Sequence, residues 1–283
     1  MIALPPKVFF DTQIILAAER EDISWQDWET VTGYLRQASR YCISSLTICE
    51  LQIALANGAD QYFEQHQRRF RLLVPIGTRP EVFDFIPYFV ARELGLTIQR
   101  PDHLEDDFLG VIDLILAAPS KAALLNGFPV PGKPQQTVKI RLDRLTQEIQ
   151  QLKQSYNAAI SRRRELNIDG ISLEVWTTNL LAFYGVNGVP DSAKAVIAEA
   201  LSATYEFEMA VIRLARNKNF NIRKNMSDHT DGQQLCYLCD PETVFITNDS
   251  DFKNRTAKSP QASRIKTFAE LLVYAENASP LLI

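Results

Sequence analysis

The stretch KVFFDTQIILAAER, residues Lys7 to Arg20, decides the fold class. KVFF is a short apolar run without periodicity, the pattern of a strand buried on both faces. It ends on Asp11, and Thr12-Gln13 leads into IILAAER, which reads as helix. Strand, carboxylate, helix is the opening of an α/β unit. Ligands of open α/β sheets collect at the carboxyl ends of the strands, where Asp11 stands.

Working outward, the unit repeats. Trp25 to Arg40 carries Trp28, Val31, Tyr34, Leu35 and Ala38 at three- and four-residue steps, which predicts an amphipathic helix. Tyr41 to Ile43 reads as a second strand closed by Ser44 and Ser45, either of which can cap the helix LTICELQIALAN; Gly58 ends that helix. Gln61 to Phe70 continues as helix, RLLVPIG (71–77) as a third strand and Pro80 to Gly95 as a further helix. This order favours a parallel sheet covered by helices.

From about Pro101 the texture changes, and residues 101–205 read as an all-α insertion between two parts, 1–100 and 206–283, of one α/β domain. FLGVIDLILAAP is an apolar helix and NGFPVPGKPQQ a loop rich in proline and glycine. Lys139 to Leu166 is a long helix with Leu142, Leu145, Ile149, Leu152 and Tyr156 on an a/d seam, which can pack internally or join two copies as a homodimer. Asp191 to Arg216 is another helical run, capped by Asp191 or Ser192. The chain then reaches Asp228 and Asp231 at a helix start, the β-rich run Thr243 to Thr247, and the turn Asn248, Asp249, Ser250, Asp251. TFAELLVYAENA follows as a short strand or turn and a helix.

Composition bounds the partners. The chain has 283 residues, 46% hydrophobic and 23% charged, with a net charge of −4. That is an ordinary globular composition without a global basic field, so nucleic acid would be met by local patches. Candidates are Arg68, Arg69 and Arg71, then Arg162 to Arg164, and the Lys253 to Lys266 loop, although charge runs more often mark a solvated face. No apolar run is long enough to span a bilayer, and MIALPPK lacks the pattern of a signal peptide, so the expectation is a cytoplasmic protein with no membrane partner. Cys42, Cys49, Cys236 and Cys239 fit reduced, buried thiols. Cys236 and Cys239 fall on an apolar helical phase, which favours core packing over half of a zinc site. His66, His103 and His229 show no ligand spacing.

Acids recur in matching places. Asp11 follows the first strand, Asp231 stands at a helix start and Asp249 follows the last clear strand. Glu50 lies in a helix among Leu46, Cys49, Ile53 and Leu55, where a carboxylate needs a partner. Singly, Asp11 and Asp231 read as helix caps, and Asp249 with Asp251 as a turn. In a doubly wound sheet these elements converge at one edge, and the unpaired acids would repel one another. Magnesium or manganese relieves this with hard oxygen coordination, and a water bound to either can be deprotonated to attack a phosphodiester.

Together VFFDT, SSLTICEL and DGQQLCYLCDPETVFITNDSDF resemble the PIN-domain ribonucleases, over roughly residues 7–100 and 220–275. The eighteen-residue step from Asp231 to Asp249 and the T-N-D-x-D-F ending are the most specific parts. The resemblance implies a three-layer α/β/α fold with a central parallel sheet, an acidic quartet binding Mg2+ or Mn2+, and hydrolysis of single-stranded or structured RNA. By position the quartet is Asp11, Glu50, Asp231 and Asp249, with Asp228 and Asp251 as supporting or alternate ligands. Thr12, Ser44, Thr247 and Asn248 are placed to hydrogen-bond the ligands, and Lys253 and Arg255 to meet substrate. Toxin members of the family imply an antitoxin-like protein partner. The chain departs from the family in length, because members are often little more than half this size.

Two other functions compete. The same fold can serve as an RNA- or protein-binding scaffold with poor turnover. An aspartyl-nucleophile phosphatase also opens with a strand ending in Asp, but it wants a second acid two residues on, where this chain has Gln13.

Overall fold

The computed structural model describes residues 7–37, 41–75, 79–99, 107–131, 133–163, 171–186, 189–216 and 228–278. Helices dominate, and short parallel strands run through the middle. The first strand, β1 (Lys7–Phe10), leads into α1 (Thr12–Glu19) and α2 (Trp25–Gln37). Next come β2 (Cys42–Ser44), α3 (Ser45–Asn57) and α4 (Phe63–Leu73), then β3 (Glu81–Phe83) and α5 (Ile86–Glu93).

After α5 the chain forms α6 (Phe108–Ala117), α7 (Lys121–Gly127), the strands β4 (Pro129–Val130) and β5 (Lys133–Thr137), and the long α8 (Val138–Arg163). Helices α9 (Leu173–Phe183), α10 (Asp191–Ala200) and α11 (Ser202–Ala215) follow. Last come α12 (Asp228–Gln234), a 3-10 turn at Leu235–Cys239, β6 (Thr243–Ile246), α13 (Ser250–Arg255), β7 (Ile265–Lys266) and α14 (Phe268–Ala278).

Strands β1, β6 and β7 form one parallel sheet, with Phe10 opposite Ile246 and Ile246 opposite Lys266. Strands β2 and β3 pair in parallel, and a parallel bridge from Val8 to Tyr41 joins them to β1. The strands therefore lie in the order β3, β2, β1, β6, β7. The order of strand addition reverses between β1 and β6: β2 and β3 are laid down on one side of β1, β6 and β7 on the other, which makes the carboxyl ends of β1 and β6 the switch point where such sheets bind ligands.

Alternation explains why KVFF has no polar phase. Val8, Phe10, Ile43 and Ile246 join one apolar cluster, and Phe9, Cys42, Phe83 and Phe245 join another on the opposite face. Phe9 stacks on Phe245 with ring centroids 4.8 Å apart. The middle of the chain packs into both clusters: Phe108, Val111, Ile112 and Leu142 into the first, Trp176, Leu181 and Ile197 into the second. Helix α7 also steadies α3, because Lys121 Nζ donates to the carbonyls of Ala56 and Gly58 at 2.9 and 2.6 Å. A cation suits the negative end of a helix dipole.

Several expectations need correction. The start of RLLVPIG is helix rather than strand: Leu72 and Leu73 prolong the buried phase of α4 set by Phe63 and Phe70, and Ile76 and Gly77 lie outside the described residues. The third strand is Glu81–Phe83, inside the segment read as helix, and the helix begins only at Ile86 with Pro87 in its first turn. Proline suits that position because its fixed φ is helical and the missing N–H has no partner to lose.

The middle segment is not all-α. Its Pro/Gly-rich loop contains the antiparallel pair β4 and β5, with Val130 opposite Lys133. The run from Asp191 breaks at Leu201 into two helices, and Asp191 pairs with Lys194 at 2.5 Å rather than capping α10, whose cap position is Pro190. The α8 seam is buried at Leu142, half-buried at Leu145 and Ile149, and exposed at Leu152. Cys236 and Cys239 are buried, and Cys236 Sγ accepts from Thr204 Oγ1 at 3.4 Å. No helix of the described residues is long and apolar enough to cross a membrane.

Candidate functional site

Asp11 emerges from the carboxyl end of β1, where its N–H donates to the Ile246 carbonyl at 2.9 Å. It is 3% exposed and serves as the N-cap of α1, with Oδ1 accepting from Gln13 N–H at 3.4 Å. Its Oδ2 accepts from Thr247 Oγ1 at 2.8 Å. Burial pushes its carboxyl up to about 7; the negative charge of Glu50 and then of Asp249 adds to this, while the Thr247 and Gln13 donors oppose it.

Glu50 comes from α3, whose position follows from two local devices. Ser44 caps the helix by accepting from the N–H groups of Leu46 and Thr47 at 3.1 and 3.2 Å. Thr47 Oγ1 then donates to the Phe10 carbonyl at 3.2 Å, tying the first turn of α3 to the end of β1. With α3 so anchored, Thr12 Oγ1 reaches Glu50 Oε2 in a short hydrogen bond.

Asp249 is the N-cap of α13, and its Oδ1 accepts from Asp251 N–H at 2.8 Å. Its own N–H donates to Thr247 Oγ1 at 3.1 Å. Asp11, Glu50 and Asp249 therefore stand on three different elements at the switch point, where the charges of Glu50 and Asp249 both raise the proton affinity of Asp11. The described bonds use both Asp11 oxygens, Glu50 Oε2 and Asp249 Oδ1. Each carboxylate still has acceptor capacity, since each oxygen carries two lone pairs.

The fourth acid is placed differently. Asp231 is half-buried in α12, next to buried Thr230. Thr230 and Gln233 of α12 line a cleft together with Leu46 of α3, so the helices carrying Asp231 and Glu50 border one opening. The side chains of Asp228 and His229 lie outside the described residues, as do His103 and the Arg162 to Arg164 side chains.

Of the remaining expected residues, Ser44 is fully buried and its hydroxyl is occupied as a cap. Asn248 Oδ1 accepts from Phe268 N–H at 3.1 Å and so starts α14. Lys253 pairs with Glu270 at 2.6 Å, and Arg255 pairs with Asp251 at 2.5 Å while lying 5.0 Å over the Phe207 ring. Thr12 and Thr247, by contrast, bond the acids directly. Sequence reading missed Thr47, although its place three residues after the Ser44 cap was visible. It also missed the aromatic lining of the cleft, where Phe183 ends an amphipathic helix with its ring 69% exposed.

Among the described residues, no three His, Cys, Asp or Glu side chains are grouped closely enough to hold a metal ion. Glu50 and Asp249 act on Asp11 through their charge, while the described hydrogen bonds hold oxygens of all three on protein donors. No family model matches the chain, and no match was found among curated proteins or solved structures.

Proposed function

We propose that the protein is a metal-dependent endoribonuclease of PIN type, a three-layer α/β/α domain interrupted by residues 101–205. One observation carries this reading: Asp11, Glu50 and Asp249 come from three elements to the switch point of a parallel sheet, and two of them raise the proton affinity of the third. A buried carboxylate beside two others is costly to ionise, and a divalent cation is the ordinary means of offsetting that cost. The all-oxygen donor set suits Mg2+ or Mn2+.

Drawn closer together than they stand in this structure, Asp11, Glu50 and Asp249 would hold the ion, with Asp231 from α12 completing the set and Asp228 and Asp251 in support. Bound there, the ion would neutralise charge on a phosphodiester and acidify a water. The chain's own residues prepare the site. Thr247 orients Asp11 and takes the Asp249 N–H, while Thr12 fixes one oxygen of Glu50. Asp11 must lose its proton before it can act as a ligand, so the site strengthens as pH rises through about 7.

A second reading has its own observation. Because the carboxylates are not drawn into one ligand group, the same fold serves equally as an RNA- or protein-binding scaffold. Calorimetric titration with Mn2+ separates the two. The nuclease reading expects binding that weakens by an order of magnitude or more in Asp249→Asn. A scaffold expects no carboxylate-dependent site.

A further inference from the structure

The helices that carry Glu50 and Asp231, α3 and α12, border a cleft of about 240 Å3 together with α5, α8 and α9. We propose that it receives one unstacked nucleobase of a single-stranded RNA, which rests on the nuclease reading for the identity of the strand.

Its walls are aromatic. Phe85 and Tyr88 come from the start of α5, and Phe183 comes from the end of α9. Phe183 is 69% exposed and Leu152, also on the rim, is 44% exposed. Ring faces of this kind bind any base by stacking. Thr230 and Gln233 bring polar groups into the lining, beside the hydroxyls of Tyr88 and Tyr184. Tyr184 OH donates to Gln233 Oε1 at 2.8 Å, which fixes the amide and leaves its NH2 end as the donor. Stacking faces with a few fixed donors and acceptors are what recognition of a splayed-out base requires.

The cleft shares two helices with the acids, although none of the acids lines it. Leu46 on its border and Glu50 are four residues apart on one face of α3, about 6 Å along the helix axis. On the other border, Thr230 immediately precedes Asp231. A base seated here would hold its strand beside the carboxylates. The size of the cleft favours a single ring system: a docked amphipathic helix needs a row of anchors at i, i+3, i+4 and i+7, and a stable dimer needs roughly 1,000 Å2 of interface.

The test uses the full chain, a short single-stranded RNA carrying one 2-aminopurine, and the variants Phe183→Ala and Tyr88→Ala. Phe183 is exposed, so its removal spares the core. Binding is read without divalent ions by quenching of the 2-aminopurine fluorescence, and cleavage is read with Mn2+. The proposal expects quenching by the parent chain and affinity weakened roughly 5- to 150-fold in the variants. It further expects KM raised with kcat within about twofold, and recovery in Phe183→Trp. Cleavage with unchanged affinity and KM in both variants would overturn the cleft and leave the nuclease standing. Stacking without cleavage would keep the cleft and remove the nuclease, and neither binding nor cleavage would remove both. A dimer that Phe183→Ala dissolves, with RNA binding unchanged, would assign the cleft to a second copy and overturn the proposal.

Discussion

Thr247 Oγ1 donates to Asp11 Oδ2 at 2.8 Å, and the same oxygen accepts the Asp249 N–H at 3.1 Å. One hydroxyl therefore positions two acids from the two central strands. It is also the strongest influence holding the Asp11 carboxyl down against burial. Thr247→Val keeps the volume and removes both bonds, at a cost of about 1–3 kcal/mol. The Asp11 carboxyl then moves above about 7, and the pH at which Mn2+ binding is half-maximal rises with it. Thr247→Ser restores both values. Carboxyl-carbon NMR titration of Asp11 checks the shift.

Asp11 itself destabilises the metal-free fold at neutral pH. Its carboxyl sits near 7 in the folded chain against an ordinary value of 3.8, so between these pH values the folded state binds the proton and the unfolded state does not. Stability then falls as pH rises from about 4 to about 7 and levels off above. Asp11→Asn removes this dependence. It should melt a few degrees above the parent at pH 8 and level with it, or slightly below, at pH 4. Thermal melts in chelator across that range measure the difference. Saturating Mn2+ should reverse the order at pH 8, because only the parent gains the binding energy.

Thr12 acts through Glu50. Thr12→Val leaves the Glu50 carboxylate unanchored, and Mn2+ affinity should drop about 10- to 100-fold, the usual effect of losing a partner behind a ligand. The thermal midpoint should change by less than the equivalent of about 1 kcal/mol, since Thr12 is half-buried at a helix start. Recovery of affinity in Thr12→Ser would show that the hydroxyl is responsible.

Ser44 separates stability from chemistry. Its hydroxyl caps α3 and touches none of the acids in the described bonds. Ser44→Ala should cost about 0.5–2 kcal/mol, or roughly 2–4 °C per kcal/mol for a domain of this size. Cleavage per folded molecule should fall far less than in Thr12→Val. Denaturant unfolding beside an activity assay distinguishes the two.

Much of this arrangement was readable in the chain. KVFF followed by Asp11 announced a strand buried on both faces, because parallel strands covered on both sides show no polar phase. Glu50 stood out as a charge within an apolar helix, and Asp249 as an acid at a strand exit. Short elements were harder. Glu81–Phe83 is three residues long with a polar start, and a single strand-like turn cannot be told from a helix start by periodicity. Just after the break at Leu201, the Ser202 hydroxyl meets Ser259 and Gln261, contacts distant in sequence that no local periodicity shows. Closeness to Asp249 in the chain points Lys253 and Arg255 at substrate. Yet Lys253 pairs with Glu270, seventeen residues on, and Arg255 with Asp251. The bond from Thr12 to Glu50 spans thirty-eight residues and has no local signal.

The central claim is that these carboxylates hydrolyse RNA with a divalent ion. Cleavage of an end-labelled single-stranded RNA in Mn2+ tests it most directly, comparing the parent chain with Asp11→Asn and Asp249→Asn, each with and without chelator. The account predicts cleavage by the parent chain that chelator abolishes, and a loss on the order of a hundredfold or more in both variants while their folds persist. Cleavage that continues unchanged in Asp11→Asn and Asp249→Asn would contradict it.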